Sequence, residues 1–311
     1  MRRGALLDYL ASDAAPLAAA QGALFAARDA WRADSRCAAL LADLVDYGAG
    51  TALGRCPALE GALSDPALAD GPVEAFLDHM LPVLAAHPLG QMPFRHGNDG
   101  GVGTLLLARE GRALLSLVAR EPGRHERCAV SFGDGERGEI VLAGKARGRL
   151  VRRDATLAFE PCALERGTHV ALDLTRNALL VDEIEARLVT LRLVRIAEEP
   201  GPTREYDLAN GQLLHQSAGD PGESRQELML ALLGRMGRTD AAPVMAEMTR
   251  GGSDHLRWQA LRECIALDTA AGFAALCDIA DDPADSLRAP AMALRDQLCA
   301  AHPALAELEP A

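Results

Sequence analysis

The sequence predicts an α+β chain of several domains: a helical part over residues 1–89, a central antiparallel β-sandwich or barrel over 90–217, and paired helices over 222–311. Three observations carry this. Leu, Val and Phe recur at three-to-four spacing in an alanine-rich background before Gly90. From Gly103 to Gln216, short β-rich runs alternate with glycine turns and no helix intervenes. After the polar hinge Gly219-Asp220-Pro221-Gly222 the helical period returns, and one pattern recurs at a shift of 31 residues.

In the first part the spacing predicts helices over Ala5–Leu10, Leu17–Trp31, Ser35–Tyr47 and Val73–Ala86. Asp34-Ser35 is an N-cap signal and Gly48 to Gly54 a stop. Cys56-Pro57, Asp65-Pro66 and Gly71-Pro72 predict a looser connection. His79 and His87 flank Pro82, which would disturb a helical register, and are read as surface or interface residues.

In the central part strands are expected over Thr104–Ala108, Ala113–Ala119, Ala129–Phe132, Glu139–Val151, Thr156–Phe159, His169–Leu174, Ala178–Val181 and Arg187–Ile196, with a last hairpin about Asn210-Gly211. Leu188 to Val194 reads as apolar on both faces, which makes it a central strand covered on both sides. Gly133-Asp134-Gly135-Glu136-Arg137-Gly138 matches G-x-G-x-x-G. It lies between strands and opens no helix, so it is read as a hairpin turn and not as a pyrophosphate cradle.

In the last part helices are expected over Glu223–Met236, Ala241–Met248, Asp254–Leu267, Thr269–Ala280 and Ser286–Ala301, with a frayed end from Glu307. Leu256-Arg257 with Ala260 and Leu267 recurs as Leu287-Arg288 with Ala291 and Leu298. The stretch Asp281 to Leu294 resembles the HEAT repeat, in which an aspartate stands about six residues before an arginine that opens the next helix. Asp282 and Arg288 match that spacing, while Gly251 occupies the aspartate's place in the preceding unit. The resemblance covers less than a third of the chain and implies a stack of helical hairpins presenting a surface to another macromolecule.

The run from Gly167-Thr168-His169-Val170 to Leu193 is similar to the second half of a cupin barrel. Cupin metal sites require an H-x-H pair, a later carboxylate and a further histidine. His96-Gly97-Asn98 supplies half of the first element, and neither His125 nor His169 has a histidine two residues away, so the resemblance implies a barrel without the metal.

Composition narrows the function classes. With 311 residues, 49% of them hydrophobic, and mean hydropathy near zero, the chain can bury a core. A net charge of −12, concentrated in the two flanking parts, argues against binding a nucleic-acid backbone. Lys145 is the only lysine, a usage expected of a GC-rich bacterial genome. The seven cysteines form no C-x-x-C and are read as free thiols. No run approaches a membrane span, and Asp8 and Asp13 interrupt any signal-like start, so the reading is cytoplasmic.

No G-x-S-x-G, H-E-x-x-H or Walker loop occurs, and no catalytic residue, metal site or cofactor is assigned. Two ligand candidates remain. Lys145, Arg147 and Arg149 share one strand face and could hold a small anion, against the alternative that acidic neighbours on the adjacent strand pair with them. His96, Asn98 and Asp99 open a polar, glycine-rich loop of the kind that carries binding groups. The favoured reading is a non-enzymatic interaction or regulatory protein with a protein partner. The alternative is a cupin-like small-molecule-binding barrel, with or without an enzymatic activity, that has a closed polar cavity faced by His96, His125 or His169.

Overall fold

The computed structural model describes residues 15–88 and 90–308. The expected helix Ala5–Leu10 lies outside them. Two compact units are formed: one runs to Glu198 and includes 208–211, and the other comprises 199–207 and the chain from Gln212.

Among the described residues of the first unit, four helices pack on a β-sheet. They are α1 (Ala15–Ala33), α2 (Ser35–Gly48), α3 (Pro57–Ser64) and α4 (Pro66–Ala86). The Asp34 side chain caps α2 by accepting from the Arg36 amide at 2.9 Å, as the sequence predicts. Helix α4 corrects the reading of Gly71-Pro72 as a connection. The helix passes through both Pro72 and Pro82 because Ala69, Pro72, Ala75, Phe76 and Met80 together form its buried face. Trp31 binds it there: the indole Nε1 donates to Pro72 O at 3.1 Å, and the ring meets Phe76 and Phe94 edge-on.

The strands are β1 (His96–Asp99), β2 (Val102–Glu110), β3 (Ala113–Arg120), β4 (Gly123–Arg124), β5 (Ala129–Phe132), β6 (Gly135–Arg153), β7 (Leu157–Glu165), β8 (His169–Asp173) and β9 (Asn177–Ile196). The main sheet runs β1-β2-β3-β9-β6-β7, with β4 added beside β9 and β8 beside β6, all antiparallel. Residues 133–134 do not close the expected hairpin. They lead from β5 into β6, which pairs with β8 and β9 instead.

The long strands β6 and β9 set the shape. Their pairing slips register around Ala143 and Lys145, and Gly144 stands there at φ +92°, where a Cβ would collide with the Arg187 carbonyl. The halves on either side of this bend enclose one filling: Val141, Val170, Leu172 and Leu188 from one, Ala146, Leu164, Val181 and Ile184 from the other. On the opposite face Ile140, Leu142, Leu191 and Leu193 join the core made by the helices. Strand β9 is therefore central and covered on both sides, as its sequence predicts. Arg195 ties helix to sheet, stacking on the Tyr47 ring, pairing with Glu136 and donating to Tyr47 O and Thr51 O at 3.1 and 2.7 Å.

The second unit holds β10 (Thr203–Asp207), paired antiparallel with β11 (Leu213–Ser217), and, among the described residues, five helices. These are α5 (Pro221–Arg235), α6 (Ala242–Met248), α7 (Asp254–Leu267), α8 (Thr269–Asp281) and α9 (Arg288–Ala301). Leu230, Ala242, Met245, Leu256, Ala260 and Cys264 form one buried cluster, and Leu261, Phe273, Leu276, Ala280 and Ala291 the next. The 31-residue period is visible in the bonds. Arg257 Nε donates to Thr249 O at 2.7 Å, and Arg288 Nε donates to Ala280 O at 3.2 Å. Acidic side chains link successive pairs: Glu223 accepts from Ser253 Oγ, and Asp254 accepts from Ser286 Oγ, both at 2.6 Å. Arg288 opens α9 six residues after Asp282, the spacing noted in the sequence, and the two side chains are engaged elsewhere. Asp282 caps its own turn at Ala284 N, and Asp285 takes Arg257 of the preceding pair.

Candidate functional site

The glycine-rich loop singled out in the sequence folds as the β1–β2 hairpin, with Asn98 opposite Gly103, Asp99 opposite Val102, and both turn glycines at positive φ. Beside it the short strand β4 places Arg124 against Glu183 at 3.1 Å, and the His125 amide donates to Asp182 O at 2.8 Å. Between hairpin and strand lies an open cleft of about 820 Å³ whose walls include Asn98, Asp99, Thr104, His125 and Arg127. The His125 Nε2 atom is buried without a hydrogen-bond partner. His96 stands beside the cleft with Nδ1 2.9 Å from Phe94 O. Such a cleft can receive a polar molecule through an amide, a carboxylate, an imidazole and a guanidinium.

The predicted cationic row lies elsewhere, on the outer face of β6. Lys145 and Arg147 each stand 3.3 Å from Glu185, and Arg149 makes a two-pronged pair with Asp182 at 2.8 Å on each arm. Acidic residues of the neighbouring β9 thus meet all three. The structure brings Asn98 and Asp99 together in the cleft and keeps Lys145, Arg147 and Arg149 apart from its walls.

The closed, polar cavity expected of a cupin-like barrel is not found among the described residues. The space between the half-sheets is filled by Val, Leu, Ile and Ala, His96 and His169 are exposed, and the enclosed void amounts to about 10 Å³, room for one water. Among the described residues no group of three His, Cys, Asp or Glu could hold a metal.

Beside that void lies a cluster that sequence reasoning missed. Glu139 on β6 is 3% exposed. It accepts from Thr190 Oγ1 at 2.7 Å and from Arg192 through two bonds of 3.0 and 3.1 Å. Arg120 approaches at 3.5 Å and Arg137 at 3.8 Å. Burial opposes the Glu139 charge, but the guanidiniums of Arg192, Arg137 and Arg120 outweigh it and hold the carboxyl down at about 2. Burial works the other way on Arg137, lowering it to about 10 with Arg192 adding to the effect, so it stays charged at neutral pH. The residues come from β3, β6 and β9, so local sequence shows only Arg137 and Glu139, and Thr190 and Arg192, at period two.

No family model matches the sequence, and no curated protein is similar to it in sequence. Similar solved structures include the Momordica charantia 7S globulin (16% identity, 38% of this chain and 36% of that one, TM-score 0.28). Vicilin from Solanum lycopersicum shares 19% identity over 37% of this chain and 34% of that one, with TM-score 0.29. A cupin superfamily protein from Desulfitobacterium hafniense shares 14% identity over 32% of this chain and 83% of that one, with TM-score 0.25. The chain thus spans about a third of the length of the two plant proteins. At these scores the likeness assigns neither ligand nor activity.

Proposed function

We propose that this is a non-enzymatic interaction protein whose C-terminal helices form a HEAT-like stack that engages a protein partner. The observation that carries the reading is the outer face of α5. Leu228, Met229 and Leu232 on one side of that helix, with Met236 at its C-cap, are 73%, 60%, 58% and 58% exposed, while Leu230 turns into the cluster beneath. Covering each such side chain is worth about 1.5–3 kcal/mol, and contiguous exposed apolar faces of this kind mark binding surfaces. The periodic arginine–carbonyl bonds and acid–serine links support the repeat reading, because they join each helical pair to the next. The acidity of this region favours a partner with a basic rim around an apolar centre. Free thiols, four of them buried, fit a reducing cytoplasm. To test the reading, the full chain and its Leu228→Glu/Leu232→Glu variant serve as baits, with quantitative recovery of bound proteins. Equal recovery of every specific partner by both would refute it.

A second reading is favoured by the cleft at the β1–β2 hairpin: a β unit that binds a small polar molecule through Asn98, Asp99 and His125, with His96 alongside. Lys145, Arg147 and Arg149 would then serve an anionic group by exchanging Glu185 and Asp182 for it. Asn98→Ala/Asp99→Ala in the full chain should abolish any thermal shift found in a metabolite screen. Retention of that shift would remove this reading.

A further inference from the structure

The Glu139 cluster is unbalanced in charge: Arg120, Arg137 and Arg192 surround one carboxylate, leaving two positive charges in excess. A fourth guanidinium, Arg127 in the wall of the cleft, adds its field at Arg120. Donors are in excess as well. Arg192 is engaged in full fork fashion and Arg120 makes one long bond, whereas the Arg137 side chain makes no hydrogen bond among the described residues, its buried Nε standing 3.8 Å from Glu139. Leaving charged donors unsatisfied in a half-dry site is costly, and an oxyanion relieves both imbalances at once. The Arg120, Arg137 and Arg192 side chains are 14%, 18% and 20% exposed.

We propose that Arg137 and Arg192, with Arg120 beside them, form a binding site for one phosphate group. Phosphate is chosen over a monoanion because a doubly charged group matches the excess of two, and its oxygens can take Arg137 donors other than the buried Nε while Arg192 keeps Glu139. The enclosed void of about 10 Å³ is lined by Arg120, Glu139 and Thr190 but not by Arg137, and it is too small for phosphate. The anion therefore binds on the solvent side of the guanidiniums. This inference rests on neither reading of function given above.

The test is calorimetric titration of inorganic phosphate into the full chain at fixed ionic strength, with sodium chloride and sodium acetate as controls and glycerol phosphate as a phosphoester. The expected result is one saturable phosphate site that chloride and acetate do not fill. Arg137→Gln should weaken it about tenfold or more, the usual cost of losing hydrogen bonds to a charged group, while Arg147→Gln leaves it unchanged. Equal binding of the phosphoester points to a phosphorylated small molecule, and weaker binding points to free phosphate; either supports the site. Should Arg137→Gln misfold, the wild-type chain still decides the matter, since phosphate must shift the Arg137 Nε–H resonance. No saturable binding by the wild type, an unmoved Arg137 resonance, or full affinity in a folded Arg137→Gln would overturn the proposal.

Discussion

Replacing Glu139 by Gln keeps the shape of the side chain and removes the one negative charge among three guanidiniums. Two independent routes give the cost. The carboxyl is held at about 2 instead of its ordinary 4.5, a displacement equivalent to about 3 kcal/mol. Breaking a buried ion group by removing one partner costs about 3–5 kcal/mol. The sign is fixed by the direction of the shift. A folded-state pKa below the unfolded value means that the stabilisation is complete above about 4.5 and disappears as pH falls from there toward about 2. By pH 3 about 2 kcal/mol of it should be gone.

The assay is urea denaturation at pH 7 and pH 3, followed by the emission of Trp31, which is fully buried in the first unit. Trp258 lies in the second unit, so Trp258→Phe provides the background in which only the first unit reports. Wild type should lose about 2 kcal/mol more than Glu139→Gln between the two pH values, because every other titrating group is common to both. Parallel losses in the two proteins would show that Glu139 is not held ionised by its neighbours, and the electrostatic account of the cluster would fail.

Other expectations follow from single contacts. Gly144→Ala forces a side chain into the left-handed region against the Arg187 carbonyl; it should cost about 1–3 kcal/mol, whereas Gly97→Ala, with nothing near its Cβ position, should leave the melting temperature nearly unchanged. Arg257→Ala removes the bonds to Thr249 O and Asp285 from a side chain that is 12% exposed; Trp258 emission should report a loss of about 1–3 kcal/mol. The exposed Arg288, whose side chain donates to Ala280 O, should lose less on the same change. Leu228→Glu/Leu232→Glu should stay within about 0.5 kcal/mol of wild type in stability, since both side chains already face solvent; a larger loss would mean that this face is packed and not presented.

Which features could be read from the sequence depended on whether their causes were local. Helix α2 was legible because its cap, Asp34, is adjacent and its apolar side chains repeat along one face. Helix α3 was not, because the chain after Cys56-Pro57 looks like a turn. Its first amides are held by the Asp43 carboxylate from fifteen residues upstream, at 2.7 and 3.1 Å, and that cap exists only in three dimensions. Strand β9 was expected as two strands because Asp182, Glu183 and Glu185 interrupt its apolar run. The chain continues through them since Arg149, Arg124 and Arg147 on the flanking strands supply their partners. The loop at His96 to Asp99 was found by its glycines and polarity, while Glu139 was not, because its partners converge from positions 120, 137, 190 and 192.

That convergence raises the question of what the ion cluster contributes, and replacement can answer it. A buried ion group is often exchanged for apolar side chains of similar volume with no loss, or with a gain of about 1–4 kcal/mol. Val141, Leu164, Val170 and Leu188 already line the void beside Glu139, so Arg137→Met/Glu139→Leu/Arg192→Met would extend an apolar filling that is in place. If the cluster exists to hold a ligand, this triple variant should fold, melt at or above the wild-type temperature, and no longer take up phosphate. If the charges instead fix the pairing of β3, β9 and β6, the same variant should lose its cooperative transition while its helical signal persists. Retained stability together with retained phosphate uptake would place the anion somewhere other than these guanidiniums.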